Sequence, residues 1–280
     1  MGLSIAAEIT QESNSSFTIS FPFLPSAQRE ALNTVYAFCR RTDDIVDEIT
    51  DPGLRVVLLK KWREELGLAL SGTSEYALLN QLNSVAKTFK IPVKYFYELI
   101  EGVEMDLSKT RYQTFDELKE YCLHVASSVG LMCIGIFGAR NEKTKEYATN
   151  LGIALQLTNI IRDVKEDASQ GRIYLPLEDL QRFHYTENEL LNSVYNENFV
   201  ALMNFETQRA QKFYEEVKHS VPNEDKRTML AAKIMERIYF HTLIRIKKFR
   251  YNVFEKKYTL PKYFRALIAM KYWVKLHLFG

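Results

Sequence analysis

A chain of 280 residues that is 46 % hydrophobic can bury one large core and needs no second domain to do so. Its charge is nearly balanced at +2, which excludes a polyelectrolyte partner for the molecule as a whole. Three cysteines, Cys39, Cys122 and Cys133, are odd in number and widely spaced, so neither a disulfide framework nor a cysteine metal site is expected. Met1–Gln11 lacks a basic start and a long apolar run, so no signal peptide is expected. No stretch reaches about 18 uncharged apolar residues, so no transmembrane helix is expected and the chain reads as cytoplasmic.

Glycine (11) and proline (7) are sparse, which favours long uninterrupted elements. The predicted helices, in chain order, are 26–49, 53–70, 74–89, 93–109, 115–138, 142–168, 187–195, 198–219, 224–256 and 261–277. Within them apolar residues recur at three and four, as in Leu32, Val35, Tyr36 and Cys39, or Leu151, Ala154, Leu157 and Ile161. Asp51-Pro52 and Ile91-Pro92 read as helix starts, and Thr114 to Glu117 and Thr186 to Glu189 fit capping boxes. Ser169–Tyr185, with Gly171 and Pro176, is the longest expected break, and residues 1–12 are expected to be flexible. No region alternates with the period of a strand. The fold class is therefore all-α, with residues 1–280 forming one domain.

Two acidic constellations carry the chemistry. In Tyr36-Ala-Phe-Cys-Arg40-Arg-Thr-Asp43-Asp-Ile-Val-Asp47, the carboxylates of Asp43 and Asp47 are four apart and share one helix face. In Gln156-Leu-Thr-Asn159-Ile-Ile-Arg162-Asp163-Val-Lys-Glu-Asp167, Asn159, Asp163 and Asp167 form an oxygen stripe with the same spacing. Like charges at this spacing destabilise a helix unless something compensates. A hard cation such as Mg²⁺ takes one or two carboxylates together with water and substrate phosphate. The adjacent guanidinium groups of Arg40 and Arg162 match the fork of a diphosphate. The plain alternative is a pair of solvated helix faces. A di-iron site would need Glu-x-x-His on two helices, and only Glu216-Val-Lys-His219 fits, in a polar stretch.

These two motifs resemble the paired aspartate-rich motifs of the squalene/phytoene synthase family. Met105-Asp106, Tyr121-Cys122, Val125-Ala-Ser-Ser-Val-Gly130 and Gly171-Arg-Ile-Tyr-Leu-Pro176 agree with that family in order and spacing, and the similarity covers roughly residues 13–260. Ser13-Asn-Ser-Ser-Phe17 and Val129–Gly138 are most similar to the bacterial presqualene diphosphate synthase branch of hopanoid and squalene pathways. The resemblance implies an all-helical prenyl-synthase fold with a central cavity between the two motif helices. It implies Mg²⁺ on Asp43, Asp47, Asn159, Asp163 and Asp167, and diphosphate contacts from Arg40, Arg162, Ser15, Ser16, Gln156 and Arg172. Tyr36, Tyr121 and Tyr239 are similar to pocket tyrosines of the family, and with Arg40 and Arg162 they make up the implied catalytic set. The implied reaction condenses two molecules of farnesyl diphosphate head to head into presqualene diphosphate, with phytoene or dehydrosqualene synthesis and a non-catalytic scaffold as alternatives. NADPH is not expected, and no Gly-x-Gly-x-x-Gly fingerprint occurs. Arg172 and Tyr174 are expected either to close a flap over the site or to make a simple loop contact. Cys39, His124 and His241 read as structural.

From Arg237 to Gly280 the chain carries eleven Lys or Arg and one acid, Glu255, interleaved with aromatics. Such a segment, here residues 257–280 above all, reads as a peripheral contact with an anionic membrane surface at the inner face. Arg250, Lys256 and Lys257 are its expected contributors. No nucleic-acid motif accompanies it.

Overall fold

The computed structural model describes residues 5–12 and 17–279. Among them are α1 (Ile5–Glu12), a 3₁₀ segment (Phe17–Phe23), α2 (Ser26–Asp47), α3 (Pro52–Ser71), α4 (Ala77–Phe89) and α5 (Lys94–Ser108). There follow α6 (Phe115–Cys122), α7 (Ser128–Phe137), α8 (Lys143–Ser169), α9 (Leu177–Arg182), α10 (Glu187–Leu191), α11 (Glu197–Lys218), α12 (Leu230–Lys248) and α13 (Lys262–Phe279). The only extended pairing among the described residues is an isolated parallel bridge between Arg111 and Ile173.

Local chemistry accounts for the helix starts. Asp51 accepts from Leu54 N at 3.0 Å with Pro52 in the first turn, and Thr186 and Glu189 complete a reciprocal capping box. Thr114 accepts from Glu117 N, but Glu117 reaches back to Gln113 N instead of closing the box.

Helix α8 is the axis of the molecule. Leu151, Gly152, Ile153, Ala154, Leu157, Ile160, Ile161 and Val164 are all buried, so it is covered on most sides, as a central core helix must be. It packs on α7, α11 and α12 and on the π-helical turn Leu123–Ser127 that joins α6 to α7. This turn splits the helix expected over 115–138. Two glycines let it form where it does. A Cβ on Gly102 would lie 2.6 Å from Val125 Cγ1, and one on Gly152 would lie 2.7 Å from the Ser127 backbone. Phe115–Phe137 is long and apolar enough to cross a bilayer by length and composition, contrary to the sequence expectation. Half of its most apolar window (50 %) is buried within the protein.

Three other expectations are corrected. Residues 5–12, expected to be flexible, form α1, which packs on α2. The expected break 169–185 contains α9, pinned to α11 by Arg209, which donates to Asp179 at 2.7 Å and to Glu206 at 2.7–2.8 Å. The helix expected over 224–256 ends at Lys248. Arg250 and Tyr251 adopt left-handed φ angles of 51° and 61°, and Tyr251 donates to Asn204 at 2.8 Å. Burial of Tyr251, Val253 and Phe254 outweighs helix continuation there.

Gly152→Ala tests the crossing. On helix propensity alone it should stabilise the protein by about 1 kcal/mol. Close approach to the Ser127 backbone should instead make it destabilising by about 1–3 kcal/mol in chemical denaturation.

Candidate active site

Carboxylates of α2, α5 and α8 lie within electrostatic reach of one another, and Gln156 and Asn159 of α8 also line an apolar cavity. The cavity, of about 150 Å³, runs between α7, α8 and α12; Gln156, Asn159 and Tyr239 lie at one end, and Phe137, Tyr147 and Ala148 also line it. It is smaller than the ~300–1,000 Å³ typical of small-molecule sites, so an occupant must displace part of the lining.

Asp43 is half-buried, and its carboxyl is pushed up to about 8 by burial and by the charges of Asp47 and Asp106. Asp167 is likewise pushed up to about 8, by burial and then by Asp163. Asp106, from α5, rises to about 6 because burial outweighs the bonds it receives from Tyr174 and Tyr121 and the charge of Arg172. These mutual effects place acids of three helices within electrostatic reach of one another. Asp163 behaves differently. Burial pushes it up, but the fork of Arg162 (2.8 and 2.5 Å) and Lys257 (2.8 Å) outweigh that and hold it below the usual carboxylate range. Asp47 accepts from Arg172 at 2.9 Å.

The structure therefore divides the residues implied to hold metal. Asp163 is already balanced by two cations and Asp47 by one, whereas Asp43 and Asp167 are crowded by like charge. The buried Oδ1 of Asn159 has no hydrogen-bond partner, while its Nδ2 donates to Gln156 at 3.3 Å. Among the described residues, no three His, Cys, Asp or Glu side chains already converge tightly enough to enclose a metal. An orphaned amide oxygen and two carboxyls that Arg40 and Arg172 compensate only in part fit a cation that completes its shell with substrate phosphate. In that respect the residues present suit Mg²⁺.

The remaining expected residues fall into separate groups. Tyr239 lines the cavity close to Arg162 and Tyr36, and burial pushes its phenol up. Arg40 is exposed and held by Asp44 at 2.7 Å and Glu48 at 3.3 Å, although its charge still reaches Asp43. Ser15 and Ser16, with Ser13 and Asn14, lie outside the described residues. Arg172 is almost fully enclosed, at 11 % side-chain exposure, and ties the loop after α8 to the end of α2. That loop is also fastened by Ile173 N to Thr110 O and Leu177 N to Tyr112 O, both 2.9 Å. It is a fixed strap in this structure. Cys39 is half-buried, with burial and Asp43 pushing its thiol up, which leaves it no nucleophile. His124 approaches the Glu120 carbonyl at 3.0 Å, and His241 packs edge-on to Phe264.

Sequence reasoning left three members out of the site. Asp106 receives hydrogen bonds from Tyr121 at 2.9 Å and from Tyr174 at 2.8 Å, and Tyr112 stacks on Tyr174 and lies tilted against Tyr121. A signal for Asp106 existed: after Leu99 and Val103 it is the next position on the buried stripe of α5. Tyr174 was expected to close a flap over the site or to make a simple loop contact, and not as a partner of Asp106. Lys257 was expected on a membrane surface; instead it binds Asp163, and no local pattern could have revealed that.

The squalene/phytoene synthase profile matches residues 10–263. The chain belongs to the squalene/phytoene synthase family. It is 37 % identical to a phytoene synthase of Arthrospira platensis over 92 % of this chain and 87 % of that protein. Its structure is similar to a dehydrosqualene synthase crystallised with a ligand (TM-score 0.86, 29 % identity, 97 % of this chain and 95 % of that one). It is also similar to the squalene synthase HpnC of Alicyclobacillus acidocaldarius (TM-score 0.79, 28 % identity, 89 % and 94 %). Family members are prenyltransferases, and the all-α prenyl-synthase fold expected from sequence is the fold observed.

Asp43, Asp106 and Asp167 are all raised from 3.8, to about 8, 6 and 8, so the stability they contribute is complete below pH ~3.8. It is lost as pH rises through 6 to 8. In chelator, melting temperature should therefore fall between pH 5 and 8, and Asp43→Asn should flatten that fall. A pH-independent melting temperature would contradict the assignment.

Proposed function

We propose that this family member catalyses the Mg²⁺-dependent head-to-head condensation of two allylic prenyl diphosphates. The observation that supports the reading is the crowding of acids from α2, α5 and α8 together with the orphaned Oδ1 of Asn159, a residue that also lines an apolar cavity. Asp43 and Asp47 on α2, with Asn159, Asp163 and Asp167 on α8, would hold the metal. Bound Mg²⁺ would neutralise the diphosphate as it leaves.

Arg172, Lys257 and Arg162 add fixed positive charge beside those acids and suit the diphosphate oxygens. In the reaction the C–O bond of one substrate breaks and its diphosphate departs with the electron pair. The double bond of the second substrate attacks the allylic cation, a proton is lost and a cyclopropyl ring closes. The ring faces of Tyr36 and Tyr239 supply electrostatic support for the cation. Asp106 sits within a hydrogen-bonded set with Tyr121 and Tyr174, at about 6, and is suited to receive the proton. The apolar walls exclude water that would otherwise quench the cation.

For substrate length, the relatives named phytoene synthase support twenty-carbon geranylgeranyl diphosphate and phytoene as product. That reading has more support than the fifteen-carbon presqualene diphosphate reading expected from sequence. The second reading retains support from the likeness to HpnC and to dehydrosqualene synthase. Phytoene and dehydrosqualene form by loss of a second diphosphate and a proton, with no reductant, which agrees with the expectation that NADPH is not used.

Product analysis with Mg²⁺ and each diphosphate tests this. Phytoene from the twenty-carbon substrate is the expected result; presqualene diphosphate or dehydrosqualene from the fifteen-carbon substrate selects the second reading. No turnover of either overturns the proposal in favour of a scaffold. Asp167→Asn should lower kcat/KM by about 10²-fold or more, as expected when a metal site loses a ligand or its support.

A further inference from the structure

Helix α13 is apolar on two opposite faces, and only one of them is covered. Its inner face, with Ile268 and Ala269, packs on Leu230, Ile234, Ile238 and Leu260 to form a small core of its own. On its outer side Tyr263, Leu267 and Met270, at 70 %, 63 % and 51 % exposure, follow one another at spacings of four and three. Residues so spaced lie along one stripe of a helix. Phe264 and Trp273 are exposed beside the stripe. Large apolar side chains aligned on one exposed helix face are unlike the scattered exposed leucines of ordinary surfaces.

The charges that α13 itself carries all have one sign. Lys271 and Lys275 are exposed along one flank and Lys262 on the other, and α13 contains no acidic residue. Lys226 and Arg227 are exposed at the start of the turn before α12, where Arg227, Met270 and Trp273 line a common outer groove of about 730 Å³. Phe137 lines both this groove and the cavity of the active site. A single aromatic side chain is thus common to the apolar interior and to the surface beneath α13.

We propose that the outer face of α13 docks on an anionic lipid bilayer, with Tyr263, Leu267 and Met270 entering the acyl boundary and the flanking lysines meeting the headgroups. A long apolar stripe with cationic flanks is the composition that lies in a membrane interface. This differs from the surface expected from sequence. Arg250 is paired with Glu197, Lys256 lies over Phe249 and Tyr258, and Lys257 is bound to Asp163 inside the site. The docking proposal does not rest on the reaction proposed above, because its readouts are binding and depth alone.

The full chain should co-sediment with vesicles of phosphatidylcholine containing phosphatidylglycerol and far less with phosphatidylcholine alone. Leu267→Glu combined with Met270→Glu should weaken that binding roughly tenfold or more. Both positions are exposed, so melting temperature and helicity should be retained. Lys271→Glu with Lys275→Glu should abolish the preference for anionic vesicles and its sensitivity to salt. Trp62, the only other tryptophan, is buried, so brominated acyl chains should quench Trp273 selectively. Unchanged binding by the Leu267/Met270 variant, or absence of quenching, would overturn the proposal. A dimer that dissociates in the same variant, without vesicle binding by the parent chain, would overturn it in favour of a second copy as the occupant.

Discussion

Carboxylates held partly out of water without matching positive charge are the constraint around which this molecule is arranged. Asp43 and Asp167 reach about 8 and Asp106 about 6, each raised first by burial and then by neighbouring carboxylates: Asp47 and Asp106 for Asp43, Asp163 for Asp167, and Asp47 for Asp106. Such a cluster costs stability in the free protein and persists only because the surrounding structure over-determines it. Here the surroundings are the apolar flanks of α2, α5 and α8, which bury Phe38, Val46, Leu99, Val103, Leu157 and Val164. Removing these helices from one another would relieve the acids but expose that apolar surface.

The positive charge that is present is distributed unevenly, and that unevenness is informative. Arg162 and Lys257 satisfy Asp163, and Arg172 reaches Asp47 from a strap fastened by backbone bonds to 110–113. A cation arriving with a diphosphate would therefore meet the carboxyls of Asp43 and Asp167, compensated only in part, and the orphaned amide oxygen of Asn159, while the arginines and the lysine remain beside it for the phosphate oxygens. Asn159 also lines the apolar cavity, whose wall at Val125 and Ala126 depends on close approaches at Gly102 and Gly152 that let the π-helical turn pass α5 and α8. Such turns are common where a helix must present side chains to a site.

Helix α13 stands apart from this economy. It is attached through a minor core shared with α12, and it leaves an apolar stripe outside. Its position near Phe137 brings the surface that suits a bilayer close to the interior that suits prenyl chains.

Much of this was legible in the order of residues. Helix identity and most boundaries followed from apolar spacing and from caps such as Asp51 and Thr186, because those are local hydrogen-bond and burial effects. The two oxygen stripes were legible for the same reason: a spacing of four defines a helix face without reference to anything else. Even Asp106 could have been found from its register on α5. The tertiary structure alone decided which charges balance which. Lys257 reaches Asp163 only because the chain turns back after Lys248 to bury Tyr251 and Phe254, and Arg172 reaches Asp47 across 125 positions of sequence. The left-handed turn at Arg250 and Tyr251 carries no glycine to announce it, and the split at Leu123–Ser127 depends on glycines in two other helices. Spacing along a chain specifies which side chains share a face; which faces meet, and so which carboxylates go without a partner, depends on long-range packing that no local pattern encodes.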